Sequence, residues 1–114
     1  MNASGGSAEE LTPEQLKQRL DTGEPLQLID VREPYEWSIS NLQPQGARLI
    51  SLAELPDRMS ELDRETDLVL YCRSGKRSEG AARHLRGHGF TRVWSLRGGI
   101  NGWASSIDPN LPQY

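Results

Sequence analysis

Cys72 is the only cysteine of this 114-residue chain, and its neighbours point to chemistry at its sulfur. The run Asp67-Leu-Val-Leu-Tyr-Cys72 reads as a buried strand, and the basic segment Arg73-Ser-Gly-Lys-Arg-Ser78 follows at once. A helix of small residues, Glu79-Gly-Ala-Ala-Arg-His-Leu-Arg86, comes next. A helix N-terminus offers unpaired backbone N–H groups and positive partial charge. Arg73, Lys76 and Arg77 add cations, and both effects favour a thiolate. Ser74 and Gly75 let the backbone curl so that successive N–H groups point inward as an anion nest. Such a nest would hold a thiolate, a persulfide or the oxyanions of a bound donor.

Each of these residues also has a plainer reading. Most free cysteines are inert core residues, but three flanking cations and a loop-to-helix context favour a reactive one here. Ser78 serves equally well as a donor to the sulfur or as an ordinary N-cap. The cations Arg73, Lys76 and Arg77 would draw a small dianion, yet at least one of them is expected to be only solvated surface.

The elements that must position this loop alternate along the chain. Thr12-Pro-Glu-Gln15 is a helix start, with Thr12 as N-cap, Pro13 at the first helical position and Gln15 closing a capping box. Leu11 and Leu16 fall where a hydrophobic staple would place them, and Gly23 marks the helix end. Leu26–Val31 reads as the first strand, Glu33–Trp37 as a short helix with Pro34 in its first turn, and Ala47–Ile50 as a second strand. Leu52–Leu62 reads as helical with an interruption at Pro56. Leu68–Tyr71 is nearly continuous in apolar residues, as a strand covered on both faces should be. Gly89-Phe90 closes the following helix, Val93–Leu96 is a last strand, Gly98–Trp103 a turn or helix, and Asp108–Tyr114 an extended tail. This alternation predicts an α/β fold with a mostly parallel sheet of four or five strands and helices on both faces. Sites in such sheets form at the carboxyl ends of strands, where Cys72 and Asp30 both lie.

Composition narrows the function. The chain suits one domain over residues 9–114, preceded by a small, polar tail over 1–8 that reads as flexible or as a linker. A net charge of −3 gives no electrostatic reason to expect nucleic acid. No apolar run approaches the roughly 20 residues that span a bilayer, and no signal-peptide pattern opens the sequence. One cysteine forms no internal disulfide and no multi-cysteine zinc site. A lone working thiol fits a reducing, cytoplasmic compartment. His84 and His88 stand four residues apart on a helix, but nothing with suitable spacing completes a metal set. The residues call for no metal and no cofactor.

Four segments carry a resemblance. Leu28-Ile-Asp-Val-Arg-Glu-Pro34, Tyr71-Cys-Arg-Ser-Gly-Lys-Arg-Ser78, Gly89-Phe-Thr-Arg-Val93 and Leu96-Arg-Gly-Gly-Ile-Asn-Gly-Trp103 resemble the rhodanese (sulfurtransferase) family, in its order and over residues 9–104. The tail Ile107-Asp-Pro-Asn-Leu-Pro-Gln-Tyr114 is similar to the ending of rhodanese domains fused behind adenylyltransferases that serve ubiquitin-like sulfur carriers in molybdopterin and thiamine biosynthesis. Trp37–Gly46 fits that branch too, since it lacks the Gly-His-Ile common in other rhodaneses. The resemblance implies a single rhodanese-like domain, either the C-terminal part of a longer chain or its free-standing counterpart.

It further implies transfer of sulfane sulfur. Cys72 would take sulfur from thiosulfate or a cysteine desulfurase, carry it as a persulfide, and pass it to a thiophilic acceptor such as a sulfur-carrier protein. Arg73, Ser74, Gly75, Lys76, Arg77 and Ser78 would bind the substrate, with the backbone of residues 73–77 as cradle. Asp30 and Arg32 match the family's Asp-x-Arg and are expected to hold the strand end by a salt bridge. Gly98 and Gly99 match its double glycine, where close backbone packing is the expected need. Trp37, Trp94 and Trp103 read as core or rim aromatics. No glycine-rich nucleotide fingerprint or Cys-x-x-Cys pair is present, so this chain alone would not adenylate a carrier.

Two other classes compete. Cysteine phosphatases of related fold need five residues between cysteine and arginine. Here Arg77 follows after four, and Ser78 stands where the arginine would be. A binding module with an idle Cys72 is the other, and such modules usually lose the cysteine.

Overall fold

The computed structural model describes residues 9–114, so the tail expected over residues 1–8 lies outside the described residues. Strand β1 is Glu10–Leu11, helix α1 Pro13–Asp21, β2 Gln27–Asp30, α2 Pro34–Ile39, β3 Arg48–Leu49 and α3 Leu55–Arg58. Then come β4 Leu68–Tyr71, α4 Lys76–Gly87, β5 Val93–Leu96 and α5 Gly99–Ser106. The strands form one five-stranded sheet in the order β1-β5-β4-β2-β3. Every pairing in it is parallel. The expected architecture is present, with β1 as an edge strand too short to show a sequence period.

Local chemistry explains the starts and stops. Thr12 accepts from the Gln15 N–H at 3.1 Å while the Gln15 side chain accepts from the Thr12 N–H at 2.9 Å, the reciprocal box that opens α1. Leu11 belongs to β1 rather than to a staple, although it shares a core cluster with Leu16. Pro56 does not interrupt a helix. It lies in the first turn of α3, where its missing N–H costs no hydrogen bond. Around it, 52–62 breaks into a turn, one α-turn and the 3₁₀ turn Met59–Glu61, so the single helix expected there is absent. At the end of α4, Phe90 N–H bonds the Leu85 carbonyl and Gly89 N–H that of Arg86, closing the helix as expected.

The two-residue period of the strands assigns each side chain to a face. In and just beyond β4, Leu68, Leu70 and Cys72 join Ala81, Ala82 and Leu85 of α4 and Leu55 of α3. Val69 and Tyr71 point the other way, to Leu16 of α1 and Ile100 and Trp103 of α5. Parity alone therefore puts the Cys72 sulfur on the α4 side.

Just past β2, the chain buries a charge pair. Asp30 and Arg32 are both 0% exposed. The Arg32 guanidinium donates to both Asp30 oxygens, through Nε at 2.9 and 3.0 Å and Nη2 at 2.7 Å, and Nη2 also reaches the Ser40 carbonyl at 2.7 Å. The salt bridge expected of this Asp-x-Arg is therefore formed. Removing one partner would strand the other charge in the core, at a cost of about 3–5 kcal/mol. Asp30→Ala and Arg32→Ala should each lower stability by about that amount in urea unfolding. The double variant should lose clearly less than their sum.

Candidate active site

Helix α4 begins at Lys76, three residues earlier than the sequence suggests, which shortens the loop to Arg73–Gly75. Gly75 is the N-cap with φ +113°, a conformation that side chains resist, and it turns the chain sharply back over the strand end. Lys76, Arg77 and Ser78 thus form the first helical turn, so Ser78 is not an N-cap.

Three donors converge on the Cys72 sulfur. Gly75 N–H lies 3.0 Å from Sγ, Ser78 N–H 3.4 Å and the Ser78 hydroxyl 3.5 Å. The first-turn N–H groups of α4 lack intrahelical acceptors, which is why they are available to sulfur. Ser78 Oγ also lies 3.1 Å from the Gly75 carbonyl and 2.7 Å from Ser95 Oγ. Ser95 was not singled out in the sequence. The sequence shows only that it shares strand parity with the apolar Val93, which marks an inward position but not its contact with Ser78. Of the backbone expected to cradle the sulfur, residues 73–77, only the Gly75 N–H reaches it, and the second backbone donor is Ser78, one residue beyond that span.

The loop is gripped from behind by the start of α5. Ile100 N–H bonds the Cys72 carbonyl at 2.9 Å and Asn101 N–H the Arg73 carbonyl at 3.1 Å. Gly99 makes the approach possible: a Cβ there would overlap the carbonyls of Cys72 and Arg73, and its φ is +61°. The close packing expected of the double glycine is thus realised at Gly99.

The cations divide into two kinds. Arg73 and Lys76 are exposed, whereas Arg77 is held in a two-pronged bond by Glu36, at 2.7 Å from Nη1 to Oε1 and 2.9 Å from Nη2 to Oε2. Ser74 is exposed and bonds no side chain among the described residues. Glu36 of α2 and Tyr114 of the tail are site residues that the sequence reading missed. The Tyr114 hydroxyl accepts from Arg32 Nη1 at 2.6 Å and donates to Glu36 Oε2 at 2.7 Å. The tail folds back to the site, and its buried carboxylate partner carries no mark in a run such as Pro34-Tyr-Glu-Trp37.

These bonds set the titration of the tail contact. The Arg77 fork, with the Tyr114 hydroxyl and a backbone N–H, pulls Glu36 down to about 2 against its burial. Burial and the Glu36 bond push Tyr114 up to about 12. Hydrogen bonding to Glu36 holds Arg77 above the ordinary arginine value.

A cavity of about 360 Å³ adjoins the site, lined by Leu52, Leu55 and Pro56 on one side and Lys76, Arg77, Gly80, Ala81 and His84 on the other. Cys72 is not among its lining residues, so it lies beside the sulfur rather than around it. His84 and His88 are exposed with ring centroids 4.5 Å apart. Among the described residues no cluster of three or more potential metal ligands exists, and no helix is long and apolar enough to cross a membrane.

Residues 12–106 match the family described as Rhodanese-like domain. The chain belongs to that family. "Probable adenylyltransferase/sulfurtransferase MoeZ" of Mycobacterium tuberculosis is 37% identical over 98% of this chain and 29% of its own length. The rhodanese-like domain thus spans under a third of that relative. A protein of Allochromatium vinosum named "Sulfurtransferase" is 42% identical over 83% of this chain and 87% of its own. A rhodanese-like domain protein of Staphylococcus aureus superposes with a TM-score of 0.79 over 93% of this chain and 98% of its own, at 24% identity, which speaks for the fold alone.

Two outcomes test the site as built. Gly99→Ala should lower stability by about 3 kcal/mol or more, because the methyl meets backbone carbonyls rather than yielding side chains; urea denaturation reads this. The Glu36–Tyr114 contact should stabilise the fold on a plateau with two limbs. Glu36 has a lowered pKa, so its share is present above about pH 4.5 and is lost as pH falls toward 2. Tyr114 has a raised pKa, so its share is present below about pH 10 and is lost as pH rises toward 12. Thermal melts of Glu36→Gln should flatten the acid limb, and those of Tyr114→Phe the alkaline limb.

Proposed function

We propose that this domain is a sulfurtransferase in which Cys72 carries sulfane sulfur as a persulfide. The observation that carries the reading is the set of three donors on Cys72 Sγ at the N-terminus of α4. In the first half-reaction the thiolate attacks the outer sulfur of thiosulfate. The S–S bond breaks, sulfite leaves with the electron pair, and Cys72–S–S⁻ remains. The terminal sulfur then occupies the mouth of the Arg73–Gly75 loop, and the donors that held the thiolate stabilise the anion on either sulfur. Arg73 and Lys76, exposed at that mouth, attract the incoming dianion. In the second half-reaction a nucleophile such as cyanide takes the outer sulfur and restores the thiolate.

The acceptor we assign is a ubiquitin-like sulfur carrier whose Gly-Gly end has been adenylated elsewhere. The tail resemblance and the likeness to an adenylyltransferase/sulfurtransferase support it. The persulfide would displace AMP to give an acyl disulfide, which a thiol reductant cleaves to the carrier thiocarboxylate. A cysteine desulfurase is the alternative source of sulfur.

A phosphatase reading finds little support. The position after five intervening residues, where a phosphatase needs its arginine, is Ser78, whose hydroxyl is turned to the sulfur, and Arg77 is committed to Glu36. A purely partner-binding role would leave the three donors at the sulfur without a use.

Thiosulfate treatment should add one sulfur atom to the intact mass, and thiosulfate with cyanide should yield thiocyanate. Cys72→Ser should reduce both to background while folding normally. Turnover that survives in Cys72→Ser, or cleavage of an aryl phosphate in place of thiosulfate, would refute the assignment.

A further inference from the structure

We infer that Tyr114 is a positioning residue for the cationic rim of the Cys72 loop, acting through Glu36 on Arg77 and through its ring on Arg73. The hydroxyl is a single atom bridging two charged groups from different elements. It accepts from Arg32 Nη1, two residues past β2, and donates to Glu36 Oε2 on α2. That carboxylate is fully subscribed: Oε1 takes the Glu33 N–H at 3.0 Å and Arg77 Nη1 at 2.7 Å, while Oε2 takes Arg77 Nη2 at 2.9 Å and Tyr114. Its orientation sets that of the Arg77 fork, because bidentate guanidinium–carboxylate bonds are planar.

The ring makes a second link. The Arg73 guanidinium carbon lies 5.0 Å from the Tyr114 ring centroid, and that of Arg32 5.7 Å from it. Arg73 is otherwise an exposed side chain on the loop, and stacking gives it a fixed place at the mouth. Charged groups thus face Tyr114 from the segment after β2 (Arg32), from α2 (Glu36) and from the loop (Arg73). One tyrosine orders both arginines that flank the sulfur.

Packing of the tail does not depend on the hydroxyl. Ile107, Leu111 and the Tyr114 ring pack against the core cluster of Leu16, Ile100 and Trp103. Tyr114→Phe therefore keeps the tail docked and removes only the bridge, leaving Arg32 Nη1 and Glu36 Oε2 each short of a partner. Tyr114→Ala removes the stacking as well.

The inference rests on the sulfur-transfer reading, and its test separates the two. Thiosulfate:cyanide kinetics and Cys72 alkylation by iodoacetamide are measured on wild type, Tyr114→Phe and Tyr114→Ala. Iodoacetamide is neutral and reports the thiolate without needing cations to bind it. Tyr114→Phe should raise KM for thiosulfate about three- to tenfold with kcat within about twofold, and Tyr114→Ala should raise it further. Alkylation rates should stay within about twofold of wild type. The guanidinium N–H resonances of Arg77 should shift or broaden in Tyr114→Phe, a readout that does not need turnover. A wild type without turnover would defeat the sulfur-transfer reading and leave the Arg77 resonances to decide the positioning. Unchanged KM in both variants of an active protein, or unchanged Arg77 resonances, would overturn the inference. So would KM and alkylation rate changing together, since that would make Tyr114 act on the sulfur or the fold.

Discussion

The buried guanidinium of Arg32 ties together the elements around the site. A charge at 0% exposure survives only if its donors are met, and here they are met by Asp30, the Ser40 carbonyl and Tyr114. Each acceptor comes from a different part of the chain: the end of β2, the residue after α2, and the tail. Because one planar group must satisfy all of them at once, their relative placement is narrowly set. The two flanking elements then reach the sulfur side through Glu36 and Arg77. Burial works against the charge on Arg32, but the bonds to Asp30 and Tyr114 more than offset it and hold it charged.

Cys72 depends on a different constraint, that of close backbone approach. Its sulfur lies in a sharp turn that Gly75 permits, and its carbonyl accepts from the Ile100 N–H of α5, an approach that Gly99 leaves room for. Ala81 and Ala82 of α4 pack in one cluster with Leu68, Leu70 and Cys72. The Ser78–Ser95 hydroxyl pair fills the remaining buried space with polar atoms that satisfy each other. The outcome is a cysteine that is 1% exposed with donors at its sulfur, while Arg73 of the loop and Lys76 of α4 are open to solvent.

Charge around the loop is therefore sorted rather than summed. Arg77 is paired with a buried carboxylate that fixes where its guanidinium stands on the rim. Arg73 and Lys76 keep their charge for what approaches from outside. The apolar cavity beside Lys76 and Arg77 lies on the same side as the sulfur-bearing core cluster, next to the loop. A chain with a net charge of −3 can thus present a local positive mouth to a small anion.

By itself the sequence determined the alternation of strands and helices, because the apolar run of β4, the capping box at Thr12 and the glycine after α4 are short-range signals. It also singled out Cys72 as the candidate nucleophile, and it marked the Asp30–Arg32 pair, which lie only two residues apart. The start of α4 was misplaced by three residues, because Gly75 caps the helix through its backbone and leaves no side-chain signature. Pro56 read as a breaker because its place in the first turn of α3 depends on where that turn begins. Glu36, Ser95 and Tyr114 became site residues only through tertiary structure, as their partners lie 41, 17 and 78 residues away or more in the bonds that matter. Hydrogen bonds of that span depend on how the sheet orders its strands and where the tail returns, and no local pattern of residue types encodes either.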